Sequence, residues 1–294
     1  MEPCFVTLVS EPREDYTLLD SGNGRKYESY GGRRFIRPEP QAMWQPAHDD
    51  WDADAEFVPG SDEEGGGRWY NNRDVPIDGW PLTWEEVHFT AQCTPFRHLG
   101  FFPDMDPVWR WMRGEIAGMA QPTCMNLFGY TGVGTLALSA AGAHMVHVDA
   151  SKKSVAQARL NAEMSGMADS PVRWIVDDAA KFVAREVRRA RRYDGILLDP
   201  PKYGRGPEGE VWRLEEDLPG LIANCRQLLD RDSRFLFLTV YAVRMSALAL
   251  GALVESHFHD LAGKVEFGEL AVREKARGLL LPTAIFARWS RQET

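Results

Sequence analysis

The sequence predicts an α/β fold: a mostly parallel sheet of about seven strands wound with helices, behind a small β-rich N-terminal domain. Three observations carry this. From about Phe96 onward, short apolar runs alternate with amphipathic stretches, the pattern of parallel strands joined by right-handed crossovers. Before that point the chain has short alternating segments such as Arg34-Phe35-Ile36-Arg37 and many turn residues. At 294 residues and 44% hydrophobic, the chain can build one large α/β domain and a smaller appendage. The expected division is a β-rich domain at 1–93 and the α/β domain at 94–294.

Within the first part, Asp49-Asp50-Trp51-Asp52 and Gly60-Ser61-Asp62-Glu63-Glu64 mark an acidic, glycine-rich excursion, read over 49–67 as a mobile surface loop. A helix is expected at 106–117, where Val108, Trp111, Met112 and Ile116 recur at helical spacing. Strands follow at 124–128, 145–149, 172–176, 195–199 and 235–239, with helices at 134–141, 151–164, 179–189, 214–229 and 246–257 between them. Two later β segments, 265–270 and 283–287, complete the seven. Ligands on such sheets bind outside the carboxyl ends of the strands.

The net charge of -9 argues against a protein that coats nucleic acid indiscriminately, while leaving room for a local basic site. Cys4, Cys93, Cys124 and Cys225 are scattered, with no CxxC pair and no histidine cluster at zinc spacing, so no metal centre is expected and the thiols read as reduced. The start lacks a basic n-region and a long apolar run, and no later segment is long enough to span a bilayer. A cytoplasmic protein with no membrane partner is expected.

The motifs fall at strand ends. Asn126-Leu127-Phe128-Gly129-Tyr130-Thr131-Gly132-Val133-Gly134 is a strand-to-helix turn whose glycines let backbone approach a ligand closely, or equally let helix pack on strand. Its order, GxxGxG, is not that of a dinucleotide site. Asp149 closes the next strand, where its two oxygens can accept from both hydroxyls of a ribose, and Ser151 is the better N-cap. In Asp177-Asp178-Ala179 one carboxylate can cap a helix while the other accepts from the amine of adenine. Asp178 is assigned to the adenine, with small Ala179 leaving room for the ring. Gly195-Ile196-Leu197-Leu198 then leads into Asp199-Pro200-Pro201-Lys202-Tyr203, where the prolines fix φ and aim the carbonyls that follow Asp199. Such a wall suits a flat acceptor held for methylation. Asp199 and the Pro200 carbonyl would accept hydrogen bonds from it, and Lys202 and Tyr203 would meet a phosphate and a base or simply anchor the loop. Together these sites predict an S-adenosylmethionine-dependent methyltransferase.

The run from Asn126 to Lys202 resembles the class I methyltransferases of ribosomal RNA, in particular the bacterial large-subunit cytosine-5 family, with its N-L-F-x-Y-T-G loop and D-P-P-K strand end. Arg97-His98-Leu99-Gly100-Phe101-Phe102-Pro103-Asp104 resembles the glycine-phenylalanine segment that borders the cofactor in that family. The resemblance implies a Rossmann-like class I fold, S-adenosyl-L-methionine as cofactor, an RNA substrate, and a monomer or homodimer. It implies cofactor contacts at His98, Phe102, Asn126, Gly129, Tyr130, Thr131, Gly132, Asp149, Ala150, Ser151, Asp178, Ala179 and Asp199, and catalytic roles for Asp199, Pro200 and Lys202. By the same analogy Arg273, Lys275 and Arg277 lie near the substrate mouth. The family's N-terminal PUA module is not apparent, and residues 1–93 correspond to its β-rich linking domain instead.

One departure bears on the chemistry. Cytosine-5 methylation needs a thiolate that adds to C6, and the family's cysteine after the fifth strand aligns here with Ala242 of Thr239-Val240-Tyr241-Ala242. Cys225, on a helix, reads as core. Direct transfer to RNA, at an amino nitrogen or another atom needing no enzyme adduct, is the expectation. Methylation of a protein or small molecule would suit the negative charge, and the missing thiol also fits a cofactor-binding protein without catalysis. Arg185, Arg188, Arg189 and Arg192 share a helical face, a local phosphate contact or a solvated surface.

Overall fold

The computed structural model describes residues 4–60, 66–241 and 244–292; Ala242, the position aligned with the family cysteine, lies outside them. In chain order the strands are β1 (Cys4–Ser10), β2 (Tyr16–Gly22), β3 (Arg25–Tyr30), β4 (Arg33–Pro38), β5 (Ala55–Pro59), β6 (Gly67–Asn71), β7 (Trp80–Trp84) and β8 (Val87–Ala91), followed by helix α1 (Asp106–Glu115). The alternating part then runs β9 (Thr123–Leu127), α2 (Val133–Ala140), β10 (His144–Asp149), α3 (Lys152–Met164), β11 (Val172–Val176), α4 (Ala179–Arg188) and β12 (Gly195–Leu198). A short hairpin of β13 (Tyr203–Arg205) and β14 (Val211–Arg213) precedes α5 (Leu214–Gln227), β15 (Phe235–Tyr241), α6 (Ala247–Phe258), β16 (Lys264–Arg273) and β17 (Leu280–Ser290). No helix among the described residues is long and apolar enough to cross a membrane.

The chain divides into two units, but not at a single boundary after residue 93. One unit is Met1–Leu8, Pro107–Leu270 and Ala284–Thr294; the other is Val9–Asp106 and Ala271–Thr283. The late strands β16 and β17 each continue from one into the other, which sequence texture on the N-terminal side could not disclose.

The large sheet has the order β1-β16-β17-β15-β12-β9-β10-β11. Strands β15, β12, β9, β10 and β11 are parallel, and β17 runs antiparallel to β15. The sheet has eight strands, not seven, because β1 joins its edge beside β16. Alternation in Phe5-Val6-Thr7-Leu8 marks a strand without saying which sheet it enters. The contact is made at Gly268, where an added β-carbon would lie 1.7 Å from the carbonyl oxygen of Val6. The central strands are apolar on both faces, as a sheet covered by helices on both sides requires: all four residues of β12 are buried. Met125, Leu127, Ile196, Leu198 and Leu236 share one core with Phe182 of α4 and Leu218 and Ile222 of α5.

From β9 the chain winds outward through β10 and β11, then returns to the other side of β9 as β12. The carboxyl ends of β9 and β12 therefore send their connections in opposite directions and leave a crevice between them, the place where ligands bind in sheets of this kind.

The second unit is built on the sheet β2-β3-β4-β5-β6 and the hairpin β7–β8. Its core stacks Phe35 on Trp80, ring centroids 5.3 Å apart, beside Tyr30. Glu28, fully buried, is held in a fork by Arg37 Nε and Nη2 at 2.7 and 2.8 Å. The acidic stretch 49–67 is not a loop throughout: β5 lies inside it, with Ala55 and Phe57 buried. Period-two alternation in Ala53-Asp54-Ala55-Glu56-Phe57 turns the acids outward, where Arg34 and Arg73 meet Asp52 and Asp54, and Arg25 meets Glu56. Residues 61–65 lie outside the described residues.

The edge pairing at Gly268 yields a test. Gly268→Val should destabilise the protein by about 1–3 kcal/mol, the usual cost of overpacking, and speed amide exchange in residues 5–8. Unchanged denaturation and unchanged protection would show that β1 does not depend on the missing side chain.

Candidate active site

The turn after β9 carries an unusual backbone. Phe128, Tyr130 and Gly132 all have positive φ, at 58°, 49° and 82°. For the two aromatic residues the left-handed region costs roughly 1–2 kcal/mol each, so the turn persists only because its surroundings hold it. Gly129 N–H donates to the Val148 carbonyl at 3.0 Å, Tyr130 N–H to Asp149 Oδ2 at 2.8 Å, and Asn161 Nδ2 of α3 to the Thr131 carbonyl at 2.8 Å. Asp149 Oδ1 accepts from Ser151 N–H at 2.8 Å. Burial raises the Asp149 pKa above the ordinary carboxylate range, against the pull of its two backbone donors. Each oxygen, with one backbone donor, retains capacity for another, so Asp149 suits a ligand offering two hydroxyls. Ser151 Oγ caps α3 by accepting from Ser154 N–H at 3.1 Å, the role read for it, and Ala150 bridges the two.

The glycines of this turn answer to packing beneath it. An added β-carbon would meet the His147 ring at 2.5 Å from Gly129, the Ala158 side chain at 2.8 Å from Gly132, and the Trp109 indole at 2.9 Å from Gly134. Their spacing records how closely α1, α3 and β10 support the turn, so ligand approach is not what excludes a side chain at these three positions. Asn126 is likewise turned inward: it is 3% exposed, and its amide donates to Thr135 Oγ1 at 2.9 Å. Thr135 Oγ1 lies 2.9 Å from His147 Nδ1, while His147 Nε2 has no protein partner. Asn126 therefore acts on the turn from below. Burial lowers the His147 pKa to about 3, so the imidazole is neutral. Sequence reasoning missed His147 and Thr135, whose only signal was a polar residue in each of two apolar elements.

At the end of β11 the helix cap falls on Asp178, the acid assigned to the adenine, and not on its neighbour Asp177. Asp178 is the N-cap of α4, its Oδ1 accepting from Lys181 N–H at 2.9 Å, while Asp177 pairs with Arg185 and accepts from Asp178 N–H at 2.9 Å. Ala179 is 4% exposed and belongs to the hydrophobic core, so its small size serves packing between α4 and the sheet.

At the end of β12, Asp199 N–H reaches the Leu127 carbonyl at 3.4 Å, tying this strand end to the base of the β9 turn. Pro200 is buried, and the Pro201 carbonyl accepts from Trp212 Nε1 at 2.7 Å. The Trp212 ring also packs on Phe128, centroids 5.2 Å apart. Trp212, absent from the sequence reading, thus braces both motifs; its signal was a lone indole at the inward position of Val211-Trp212-Arg213. The Lys202 carbonyl accepts from Leu214 N–H at 3.1 Å, while the side chains of Lys202 and Tyr203 are exposed. Lys181 pairs with Glu210 and, at 3.3 Å, with Glu208, joining the hairpin to α4.

His98 and Phe102 belong to the other unit, their rings 4.8 Å apart. Burial and the nearby cations of Arg97, Arg37 and Lys26 hold His98 well below the usual imidazole range, hence neutral. Arg273 and Arg277 are engaged within that unit, with Glu11 and with Glu274 and Asp20 respectively. Burial pushes the Cys93 thiol up to about 12, and Cys124 and Cys225 are buried with thiols pushed far up. No group of three or more His, Cys, Asp or Glu side chains able to hold a metal ion occurs among the described residues.

Comparison with known proteins bears on the fold and the family. The profile of the S-adenosylmethionine-dependent methyltransferase family matches residues 63–230. The crystal structure of a SAM-dependent methyltransferase from Agrobacterium tumefaciens superposes with a TM-score of 0.93 at 40% identity, over 99% of this chain and 96% of that one. Among curated relatives, ribosomal RNA large subunit methyltransferase K/L of Magnetococcus marinus is 29% identical over 156 residues, 52% of this chain and 21% of its own length. Ribosomal RNA large subunit methyltransferase I of Aeromonas salmonicida is 36% identical over 80 residues, 27% of this chain and 20% of its own. The chain spans about a fifth of the length of these two relatives.

The buried imidazole sets a pH dependence. His147 takes a proton near pH 6.5 when unfolded but only near pH 3 when folded, so folding stability is retained above pH 6.5 and lost as pH falls toward 3. Between pH 8 and pH 5 the loss from this group is about 2 kcal/mol. Denaturant titrations at both pH values should show that difference reduced by a similar amount in His147→Asn; a variant equally acid-sensitive would assign the effect elsewhere.

Proposed function

We propose that the chain, which belongs to the S-adenosylmethionine-dependent methyltransferase family, methylates RNA directly, at an atom that needs no covalent enzyme adduct. The observation that carries this reading is the pairing of the Asp199-Pro200-Pro201-Lys202 strand end with the β9 turn across the switch point, in a protein where Cys93, Cys124 and Cys225 are all poor thiolates. The relatives named for ribosomal RNA support RNA as the substrate. A cytosine-5 enzyme would need a poised thiolate, which supports transfer to another position such as an amino nitrogen.

The residues present fit the cofactor. Asp149 would take the two ribose hydroxyls, since each oxygen keeps an accepting site beside one backbone donor. Asp178 would accept from the adenine amine with the capacity its capping bond leaves, and the backbone of Gly129, Tyr130, Thr131 and Gly132 would lie beneath the methionyl portion. When bound, S-adenosyl-L-methionine supplies an electrophilic methyl group on a cationic sulfur. The chain contributes position: Asp199 and the Pro200 carbonyl accept hydrogen bonds from the target group and aim its lone pair. Orientation of this kind is worth about 7–11 kcal/mol in favourable cases. Lys202 would meet a phosphate and Tyr203 would stack on a base. The motifs from Asn126 to Lys202 all fall in the unit that holds Pro107–Leu270, the proposed methyltransferase domain, acting in the cytoplasm, with the β-rich unit as its accessory.

Two expected outcomes follow. Asp149→Ala should weaken binding of S-adenosylhomocysteine by about 1.5–3 kcal/mol for each charge-assisted bond lost. Because hydroxyl donors favour the ionised carboxylate, wild-type affinity should also fall as pH drops through the raised Asp149 pKa, and Asp149→Asn should flatten that dependence. Calorimetry showing wild-type affinity and the same pH profile in these variants would remove Asp149 from the site. Tritium from labelled cofactor should pass to RNA and not to protein or metabolites, with no covalent complex on RNA containing 5-fluorocytosine. A trapped, cysteine-dependent adduct would restore the cytosine-5 assignment, and label in protein or metabolites alone would refute the RNA substrate.

A further inference from the structure

Helix α4 starts at Asp178 beside the crevice and, ten residues on, ends about 15 Å away at the side of the sheet where strands begin. There it runs into Arg188-Arg189-Ala190-Arg191-Arg192. Between this segment and the starts of β9, β10 and β11 lies an open cleft of about 560 Å³, walled by His144, Ser170, Arg173, Glu186, Arg191 and Arg192.

The structure sorts the arginines that the sequence placed on one face. Arg185 is engaged by Asp177, and Arg189 by Glu186 at 3.0 Å. Glu186 is buried and also takes the Tyr193 hydroxyl at 2.6 Å, with Arg173 at 3.9 Å. Arg192 comes only within 3.9 Å of Asp230. Arg188 and Arg191 are exposed and have no ion-pair partner among the described residues. Interaction with the C-terminal end of α4 accounts for Arg188 and Arg189 in part, but Arg191 and Arg192 lie beyond the helix. Three guanidinium groups, of Arg173, Arg191 and Arg192, thus line the cleft beside one carboxylate, that of Glu186, with Arg188 and Arg189 next to them in the chain, in a protein whose net charge is -9.

We propose that this cleft is a remote docking site for the phosphate backbone of the RNA substrate, with Arg191 and Arg192 of its wall as the principal contacts; the proposal rests on the RNA reading above. A polyanion is repelled by the average field of an acidic protein, so its binding must be focused on a local excess of cations. Guanidinium groups with unused donors match phosphate oxygens bidentately, and the Ser170 hydroxyl and His144 on the wall add short polar contacts.

The test titrates a labelled fragment of large-subunit ribosomal RNA into the full chain and into the double variant Arg191→Glu, Arg192→Glu at several salt concentrations. RNA affinity should fall roughly tenfold or more, with the salt slope reduced by about one per arginine. Affinity for S-adenosylhomocysteine should stay unchanged, which also verifies folding, and the double lysine variant should keep most of the salt slope. An unchanged RNA isotherm in the glutamate variant would overturn the docking site while leaving the RNA reading in place. Absence of RNA binding by the wild type would overturn both. Unchanged RNA binding with loss of polyglutamate binding would reassign the cleft to an acidic protein.

Discussion

Everything at the crevice depends on one charge-assisted hydrogen bond, from Tyr130 N–H to the Asp149 carboxylate. With Phe128 and Tyr130 both in the left-handed region, the turn after β9 carries roughly 2–4 kcal/mol of backbone strain by the usual penalty. A hydrogen bond to a charged acceptor offsets about 1.5–3 kcal/mol of it, and the Asn161 bond to the Thr131 carbonyl offsets more. The same carboxylate is the group best disposed to receive a ligand hydroxyl. Holding the turn and presenting the acceptor are thus a single constraint, and residues that touch neither can still move both.

Two braces make that coupling concrete. From below, Asn126, Thr135 and His147 form a buried polar chain under Gly129, fixed by packing so tight that no side chain fits at Gly129. From the other side of the switch point, Trp212 holds the Pro201 carbonyl with its indole N–H and Phe128 with its ring. The strand-end prolines and the strained turn are therefore parts of one rigid assembly, which is what a mechanism relying on orientation requires.

How far the sequence disclosed this follows from what kind of information each feature needs. The parallel strands were legible because a strand covered on both faces must be apolar throughout, as Gly195-Ile196-Leu197-Leu198 is, and Ser151 was legible as a cap because hydroxyls accept from N–H groups three residues on. The strand β1 was not placed, since alternation records a face and not a partner. The choice between Asp177 and Asp178 as helix cap depended on the reach of Arg185, a tertiary fact. For the glycines ligand approach and helix packing stayed equal readings, because sequence shows a missing side chain without showing which way it would have pointed. Asp199 to Lys202 stood out because consecutive prolines constrain the backbone locally, whereas Trp212 works across a hairpin that no local pattern announced.

Electrostatics separates the two ligands proposed for this acidic chain, a cationic cofactor and a polyanionic substrate. Asp149, Asp178 and Asp199 stand at or just beyond the carboxyl ends of β10, β11 and β12, a negative environment suited to a sulfonium and unfavourable to phosphate. The arginines with surplus charge lie at the far end of α4, about 15 Å away, beyond the Debye length of about 8 Å at physiological ionic strength. At that separation the arginine cluster can attract a phosphate backbone while scarcely altering the field at Asp149. The length of one helix thus separates the proposed docking site for the polymer from the cofactor site, so charge can be changed at one end without retuning the other.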